Sequence, residues 1–198
     1  MVKTIHLVRH GHTALLGRVL CGRMSDIRLD ALGCRQILTC AESMVPTPSA
    51  IHTSPQQRTL QSAGILAWYF GLPVEIVPAL DEIDFGAWSG HTFHDLDDDP
   101  CWKLWNSRRG TSRPPNGESM GSLQQRVVRY LEQLRKDTAD ATIVVVSHAE
   151  PIRAALLHYT DTSLDDFLSI SVDPASISTL CFDRAGVRIS RINQRMAA

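Results

Sequence analysis

The chain has 198 residues, with 20 basic and 21 acidic side chains and a formal net charge of −1. This balance excludes a global electrostatic attraction for nucleic acid or an anionic membrane, and 43% hydrophobic with 21% charged residues excludes a disordered or fibrous chain. The length predicts a single domain over 1–198, with disorder expected only at the 197–198 tail. Five cysteines form no CxxC pair, and no leader or membrane-spanning pattern is present, so we expect reduced thiols and a cytoplasmic protein.

The first part of the chain alternates strand and helix patterns. A helix capped by Asp30 is expected after the first strand, because apolar residues recur at helical steps as far as Met44. A second helix is expected with Ser54 as its cap and Pro55 at its first position, and its apolar face extends to Phe70. Runs rich in isoleucine and valine predict buried strands over 4–8, 50–53 and 74–77.

The last part of the chain continues this alternation. We expect a helix over 118–136, a strand over 143–147, and a helix after Pro151. Residues 178–182 and 187–192 predict a β-hairpin at the edge of the sheet. Strands that alternate with helices are typical of an α/β fold, here a three-layer α/β/α sandwich with a mostly parallel sheet that binds ligands beyond the carboxyl ends of its strands.

An irregular stretch over about 91–118 separates these two parts. It mixes an acidic run, a basic run and two prolines, which predicts a cap-like excursion over the surface with a short helix around Trp102 and Trp105. His91 and His94 have the i, i+3 spacing of a metal site. No cysteine or second paired element accompanies them, so we expect a solvated loop and no bound metal.

Two of the predicted strands end in a histidine. The first strand runs into Arg9 and His10, and the strand over 143–147 runs into His148. A lone histidine at a strand end is more often a satisfied polar residue. If these two strands are neighbours in a parallel sheet, however, both imidazoles lie at the edge where such sheets bind ligands.

Arg58 adds a second cation to this edge. It lies in the first turn of the second helix and off the apolar stripe, where backbone N–H groups also point outward. Guanidinium forks suit phosphate because two N–H donors match two oxygens, so two arginines and two histidines together predict a phosphate pocket. The missing Cβ of Gly11 would let the backbone turn sharply and approach a ligand. The alternatives are a solvated surface arginine at Arg58 and an ordinary turn glycine at Gly11.

Five motifs, in this order and spacing, resemble the histidine phosphatase superfamily, in its phosphoglycerate mutase-like branch, over nearly the entire chain. They read LVRHGHT from position 7, SPQQRTLQSA from 54, LDEIDFGAWSG from 80, PPNGES from 114 and VVVSHAEPIR from 144. The resemblance implies a phosphoglycerate mutase-like fold. It also implies that His10 is the nucleophile that takes the phosphoryl group, that Glu82 is the proton donor, and that Arg9, Arg58 and His148 hold the phosphoryl oxygens.

The chemistry of phosphoryl transfer needs these residue types. A neutral imidazole is a competent nucleophile when an acceptor holds its other ring nitrogen, and a backbone carbonyl near Gly11 could serve. The leaving oxygen needs an acid, for which Asp81 and Asp84 are the alternatives to Glu82. The like charges of these neighbours are expected to raise the pKa of Glu82. Water then hydrolyses the phosphohistidine with no metal or other cofactor.

Other residues are secondary candidates for substrate contact. The resemblance places a substrate-contacting turn around Cys21 and Gly22, and His12 and Arg23 lie near the pocket in sequence. Three arginines of the excursion could bind a second anionic group, although a solvated loop tip is equally compatible with them: Arg108, Arg109 and Arg113.

The chain departs from the family pattern near these motifs. Leu16 stands where many members have an asparagine that helps to hold the phosphoryl group. Ala149 and Glu150 follow His148 where glycine is frequent, and the Glu150 carboxylate would repel a phosphate if it faced inward. Ser89 replaces the usual glutamate of the WEG sequence.

The sequence therefore predicts a metal-independent phosphomonoesterase that acts on a small phosphorylated metabolite through a phosphohistidine. The short chain argues for hydrolysis, because mutases typically have extra sequence that encloses the substrate. The chain length and the RHGHT sequence resemble those of the branch that contains α-ribazole phosphatase. The alternatives are a phosphoglycerate mutase and a catalytically inactive phosphate-binding module, which would usually lack the nucleophile or the acid. The sequence does not identify the substrate, whose selection we assign to residues 91–118. It also leaves the oligomeric state open, with a homodimer among the alternatives.

Overall fold

The computed structural model describes residues 3–136 and 141–195, so the 197–198 tail lies outside the described residues. These residues form one sheet in which four neighbouring strands are parallel and the last two form an antiparallel hairpin at one side. The strands are β1 (Lys3–Arg9), β2 (Ala50–Thr53), β3 (Val74–Ile76), β4 (Ala141–Ser147), β5 (Ile177–Asp183) and β6 (Gly186–Gln194). Their order is β3-β2-β4-β1-β5-β6, which confirms the mostly parallel sheet and the edge hairpin.

Helices cover both faces of the sheet, which confirms the α/β fold. They are α1 (Ala31–Glu42), α2 (Gln57–Phe70), α3 (Phe93–Leu96), α4 (Pro100–Ser107), α5 (Met120–Lys136) and α6 (Ala149–Tyr159). Side chains alternate along each strand, so Val8 packs with α1 and α2, while Ile5 and Leu7 pack with α5 and α6. None of the described helices is both long and apolar enough to cross a membrane.

The observed start of α1 agrees with the sequence prediction, whereas the start of α2 differs from it. Asp30 caps α1, where its side chain accepts a hydrogen bond from the backbone N–H of Gly33 at 2.8 Å, as predicted. The prediction that Ser54 caps α2 is wrong, because α2 begins at Gln57. The Ser54 backbone N–H still donates to Val146 of β4 at 3.0 Å, so the chain leaves the sheet only after this residue.

The excursion over 91–118 is packed on the core by aromatic rings. It contains α4, the helix expected around the tryptophans, and the additional short helix α3. The ring centroids of Trp88 and Trp102 lie 5.3 Å apart, and Trp105 is fully buried beside them. Asp99 caps α4 and also accepts a hydrogen bond from the Trp88 indole at 2.9 Å. The position of the excursion is therefore set by a buried aromatic cluster.

Two glycines allow the end of β1 and helix α1 to touch through their backbones. A Cβ added at Gly11 would overlap the carbonyl of Gly33, and one added at Gly33 would overlap the backbone of His12. Gly11 therefore lacks a Cβ because helix α1 occupies that space. The expectation that a ligand would approach there is wrong. This contact holds the residue after His10 against a rigid element.

We expect Gly33→Ala to destabilise the protein by about 2–3 kcal/mol, because backbone atoms on both sides would have to separate. Gly64→Ala is the matched control, since an added Cβ in the middle of α2 would have nothing within 4 Å. That change is expected to be neutral or to stabilise by up to about 1 kcal/mol through helix propensity. Urea unfolding of both variants measures the difference, and equal free energies of unfolding would contradict it.

Candidate active site

The two strand-end histidines lie next to each other. In the parallel pairing of β1 with β4, Arg9 is opposite Ser147, and the backbone N–H of His10 donates to the Ser147 carbonyl at 3.0 Å. The ring centroids of His10 and His148 are 5.3 Å apart in an edge-to-face arrangement. The structure thus brings together the two imidazoles at the carboxyl ends of adjacent strands.

His10 is oriented for nucleophilic attack through one ring nitrogen. Its Nδ1 donates to the carbonyl of Gly11 at 2.8 Å, which leaves the lone pair on Nε2. Burial, and then the charges of Arg9 and Arg58, lower the pKa of His10 well below its ordinary value. The imidazole is therefore neutral at neutral pH, as a nucleophile must be.

The two arginines are built into the wall of the same cavity. Arg58 is only 3% exposed, which excludes the solvated surface alternative. Its Nη2 donates to the carbonyl of Gly22 at 2.6 Å, and Nη1 of Arg9 donates to that of Val172 at 2.6 Å. Burial lowers the pKa of both guanidinium groups, but arginine stays protonated in proteins. Both side chains line the cavity beside His10 and present fixed positive charge to it.

His148 lies beneath this cavity and does not line it. It is completely buried, and its Nε2 lies 2.7 Å from the hydroxyl of Ser54. Burial, and then the charge of Arg58, lower its pKa well below the ordinary value. The sequence pattern predicts a helix cap at Ser54 and gives no signal for its contact with His148.

Glu82 lines the cavity and is suited to donate a proton near neutral pH. Its side chain is buried, its Oε1 accepts the backbone N–H of Ile83 at 2.9 Å, and burial followed by the charge of Glu150 raises its pKa to about 7. The expected cause, repulsion from Asp81 and Asp84, is therefore replaced by burial and a more distant carboxylate. Neither aspartate lines the cavity.

Glu150 faces the cavity, and two arginines hold it in the ionised form. Its carboxylate accepts Nη1 of Arg109 at 2.9 Å and Nη1 of Arg153 at 2.5 Å, and these charges lower its pKa despite burial. The guanidinium of Arg109 also lies 3.4 Å from the ring centroid of Phe167. Arg109 therefore ties the excursion to α6 and does not reach over the cavity.

We expect Glu150→Gln to shift the alkaline limb of kcat/KM to lower pH by roughly 0.5–1 unit, because a negative charge that favours protonated Glu82 is lost. The limb falls as pH rises through the pKa of Glu82, so the variant should lose activity earlier. A pH profile measures this shift. Glu132→Gln is the control, since Glu132 pairs with Arg135 on α5 outside the cavity, and an unshifted Glu150→Gln profile would contradict the expectation.

The secondary candidates divide into two groups. Cys21 and Gly22 line the cavity, and so does Leu16. His12 and Arg23 do not: Nδ1 of His12 lies 2.6 Å from Oδ2 of Asp30, while Nε of Arg23 donates to the backbone carbonyl of Glu82 at 2.8 Å. Arg108 and Arg113 are exposed and likewise absent from the lining, so the structure does not place them over the site.

The remainder of the cavity is mostly apolar, and the cavity is small, with a volume of about 160 Å³. The excursion contributes Phe93 to its wall. Among residues 3–136 and 141–195, no group of three or more metal-ligating side chains comes together. The apolar wall consists of Leu16, Val19, Leu20, Ile27, Phe85 and Phe93.

Comparisons with known proteins agree with this geometry. The model of the histidine phosphatase superfamily (branch 1) matches residues 5–195. Phosphoserine phosphatase 1 of Hydrogenobacter thermophilus is 30% identical over 198 residues, which cover 98% of this chain and 92% of that protein. A bifunctional protein of Mycobacterium tuberculosis is 30% identical over 190 residues, 94% of this chain, but this chain spans only 52% of the length of that relative.

Solved structures have the same fold. A phosphoserine phosphatase variant of Entamoeba histolytica, in complex with phosphoserine, superimposes with a TM-score of 0.87 at 27% identity, covering 97% of each chain. The α-ribazole phosphatase of Shigella flexneri superimposes with a TM-score of 0.86 at 23% identity, covering 98% of each chain, a likeness that shows the fold alone. The resemblance that the five sequence motifs predict is confirmed by the family model and by these structures.

Proposed function

Because this chain belongs to the histidine phosphatase superfamily, we propose that it is a phosphatase that hydrolyses a small phosphomonoester through a phosphohistidine at His10. One observation carries this proposal. His10 and two fixed arginines line a single small cavity, with His148 directly beneath and the carboxyl group of Glu82 in the wall. Such an arrangement supplies a nucleophile, donors for the phosphoryl oxygens and an acid for the leaving oxygen.

The proposed reaction has two steps. In the first, the Nε2 lone pair of His10 attacks phosphorus, the bond from phosphorus to the alcohol oxygen breaks, and Glu82 transfers its proton to that oxygen. In the second, Glu82, now a carboxylate, takes a proton from water as the water oxygen bonds to phosphorus and the nitrogen–phosphorus bond breaks. Arg9 and Arg58 stabilise the charge on the phosphoryl oxygens in both steps. Inorganic phosphate leaves, and Glu82 is again protonated.

The cavity favours hydrolysis of a simple ester over the mutase alternative. Among the described residues, Arg9 and Arg58 are the only arginine or lysine side chains in its lining, and both serve the phosphoryl group. The carboxylate of a phosphoglycerate would have no third cation to bind and would instead meet Glu150. The apolar wall suits a compact leaving group that carries no second anion.

A phosphate-release screen tests the proposed function. The panel contains phosphoserine, 3-phosphoglycerate, a short alkyl phosphate and p-nitrophenyl phosphate, each with and without a chelator. We expect release of inorganic phosphate from at least one ester, unchanged by the chelator, and no isomerisation of 3-phosphoglycerate. An absence of turnover with the entire panel would favour the inactive phosphate-binding module, and isomerisation without phosphate release would favour the mutase.

A further inference from the structure

Ser54 and Asp81 form a hydrogen-bonded chain with His148 beneath the cavity. The Ser54 hydroxyl lies 2.7 Å from Nε2 of His148 and 3.2 Å from Oδ1 of Asp81. We propose that Asp81 is a positioning residue that acts through Ser54 on His148, so that His148 takes up a proton at Nδ1 when a phosphoryl group enters the cavity. This inference rests on the proposed function, because it assigns the phosphoryl group to the cavity.

The direction of the hydrogen bonds follows from the partners of Asp81. Its Oδ1 also accepts the backbone N–H of Glu82 at 2.8 Å, and its Oδ2 accepts the side-chain amide of Gln56 at 3.1 Å. The carboxylate thus acts as an acceptor throughout, and Ser54 gives it the single hydroxyl proton. The oxygen of Ser54 must then accept from Nε2–H of His148, which leaves the lone pair of the neutral ring on Nδ1.

Nδ1 of His148 is an unused polar atom beneath the cavity. It is buried and has no hydrogen-bond partner among the described residues, although the ring lies next to that of His10. An unpartnered buried polar atom is costly unless a ligand completes it. A neutral Nδ1 cannot donate to a phosphoryl oxygen, whereas a protonated Nδ1 can. A bound phosphoryl group would therefore complete the hydrogen bonding of His148 if the ring gains one proton.

The charges around His148 account for the timing of this proton uptake. Burial lowers the pKa of the ring most, followed by the charges of Arg58, His10 and Arg9 from the cavity side and of Arg126 from α5, so the neutral form is favoured when no phosphate is bound. A phosphoryl group adds negative charge that offsets these cations. Asp81, whose Oδ1 is 3.9 Å from Nε2, then supports the positive ring from its other side. Arg23, at 3.7 Å from Asp81, is the cation that faces this carboxylate.

The proton balance is simple. A phosphomonoester, whose second pKa is about 6, binds as a monoanion and gives its proton to Nδ1, or it binds as a dianion and Nδ1 takes a proton from solvent. In either case the Nδ1–H bond forms and the proton is donated as a hydrogen bond to a phosphoryl oxygen. The proton leaves with inorganic phosphate, and the neutral tautomer is restored through Ser54 and Asp81.

Two variants and one spectroscopic signal test this chain. Asp81→Asn retains an oxygen acceptor for Ser54 but removes the charge, while Ser54→Ala keeps the charge and removes the link. Both should weaken inorganic phosphate inhibition about tenfold at pH 8, equivalent to about one pKa unit at His148, and much less at pH 5.5. Asp84→Asn is the control, because Asp84 caps the backbone of Gly86 in the same loop without contacting His148, so any effect should be independent of pH.

The ¹⁵N resonances of His148 supply the direct readout. At pH 7.5, inorganic phosphate should protonate Nδ1 in the parent protein but not in Asp81→Asn. Folded Asp81→Asn and Ser54→Ala proteins with the parent pH dependence, or a free enzyme with the proton already on Nδ1, would overturn the inference. Turnover by the parent protein together with either result would refute only this chain of residues, whereas a parent protein that neither binds phosphate nor turns over any ester would refute the proposed function.

Discussion

His10→Ala is expected to abolish phosphate release from every ester, by a factor on the order of 10⁴ or more, while the protein stays folded. No other ring nitrogen lines the cavity among the described residues, because His148 is enclosed beneath it and His12 is turned toward Asp30. The backbone hydrogen bond of His10 to Ser147 does not involve the imidazole, so the free energy of unfolding should change by no more than about 2 kcal/mol.

Labelling with an alkaline quench distinguishes a nucleophile from a residue that only binds. Radioactive phosphate from a labelled ester should be recovered as an acid-labile, base-stable adduct on the parent protein and should be absent from His10→Ala. His94→Ala is the matched control, because the His94 side chain is 96% exposed on the excursion and should be dispensable for labelling. Persistent labelling of His10→Ala, or turnover near the parent rate, would show that another group takes the phosphoryl group.

The features that could be predicted from sequence are those that depend on local periodicity. Alternating strands and helices indicated the layered fold, and two buried strands that each end in histidine indicated that His10 and His148 would meet at one sheet edge. Asp30 is predictable as a cap because apolar residues at helical spacing follow it, and the structure confirms this cap. In these cases the determining contacts lie within one element or between neighbouring strands, so the sequence pattern contains them.

The features that could not be predicted depend on contacts between distant segments. The ion pair of Arg109 with Glu150 joins residues 41 positions apart. It forms only when the aromatic cluster packs the 91–118 excursion against the core. Ser54 fits a helix-cap pattern, but the pairing of its backbone with β4 keeps it in the sheet and directs it to His148. The burial of Glu82 likewise depends on distant segments, because the side chains of Arg23 and Arg126 both donate to its backbone carbonyl. The fold and family are therefore established, while the catalytic roles of the site residues stay predictions.

Glu82→Gln is expected to reduce kcat/KM by roughly 10²–10⁴-fold with an alkyl phosphate, because the alkoxide leaving group must receive a proton. With p-nitrophenyl phosphate, whose leaving group needs little protonation, the first step should lose far less. The parent kcat/KM should also fall as pH rises above about 7, where Glu82 loses its proton, and this limb should disappear in the variant. Equal losses on both esters, with the alkaline limb retained, would show that a different group is the acid.

The same substitution should make the protein more stable at alkaline pH, and this second effect separates a buried acid from an ordinary structural carboxylate. Burial raises the pKa of Glu82 from 4.5 to about 7, so the folded state favours the protonated form. The resulting stability, on the order of 3 kcal/mol, is fully present below pH 4.5 and is lost as pH rises through 7.

Glutamine stays neutral, so Glu82→Gln should unfold at higher urea concentration than the parent at pH 8, with little difference at pH 4.5. Glu132→Gln, a change at a half-exposed ion pair on α5, should show no such gain. A variant that is both inactive and less stable than the parent at pH 8 would mean that the folded protein favours the ionised form of Glu82. The pKa of Glu82 would then lie below its ordinary value, and the group could not hold a proton for transfer near neutral pH.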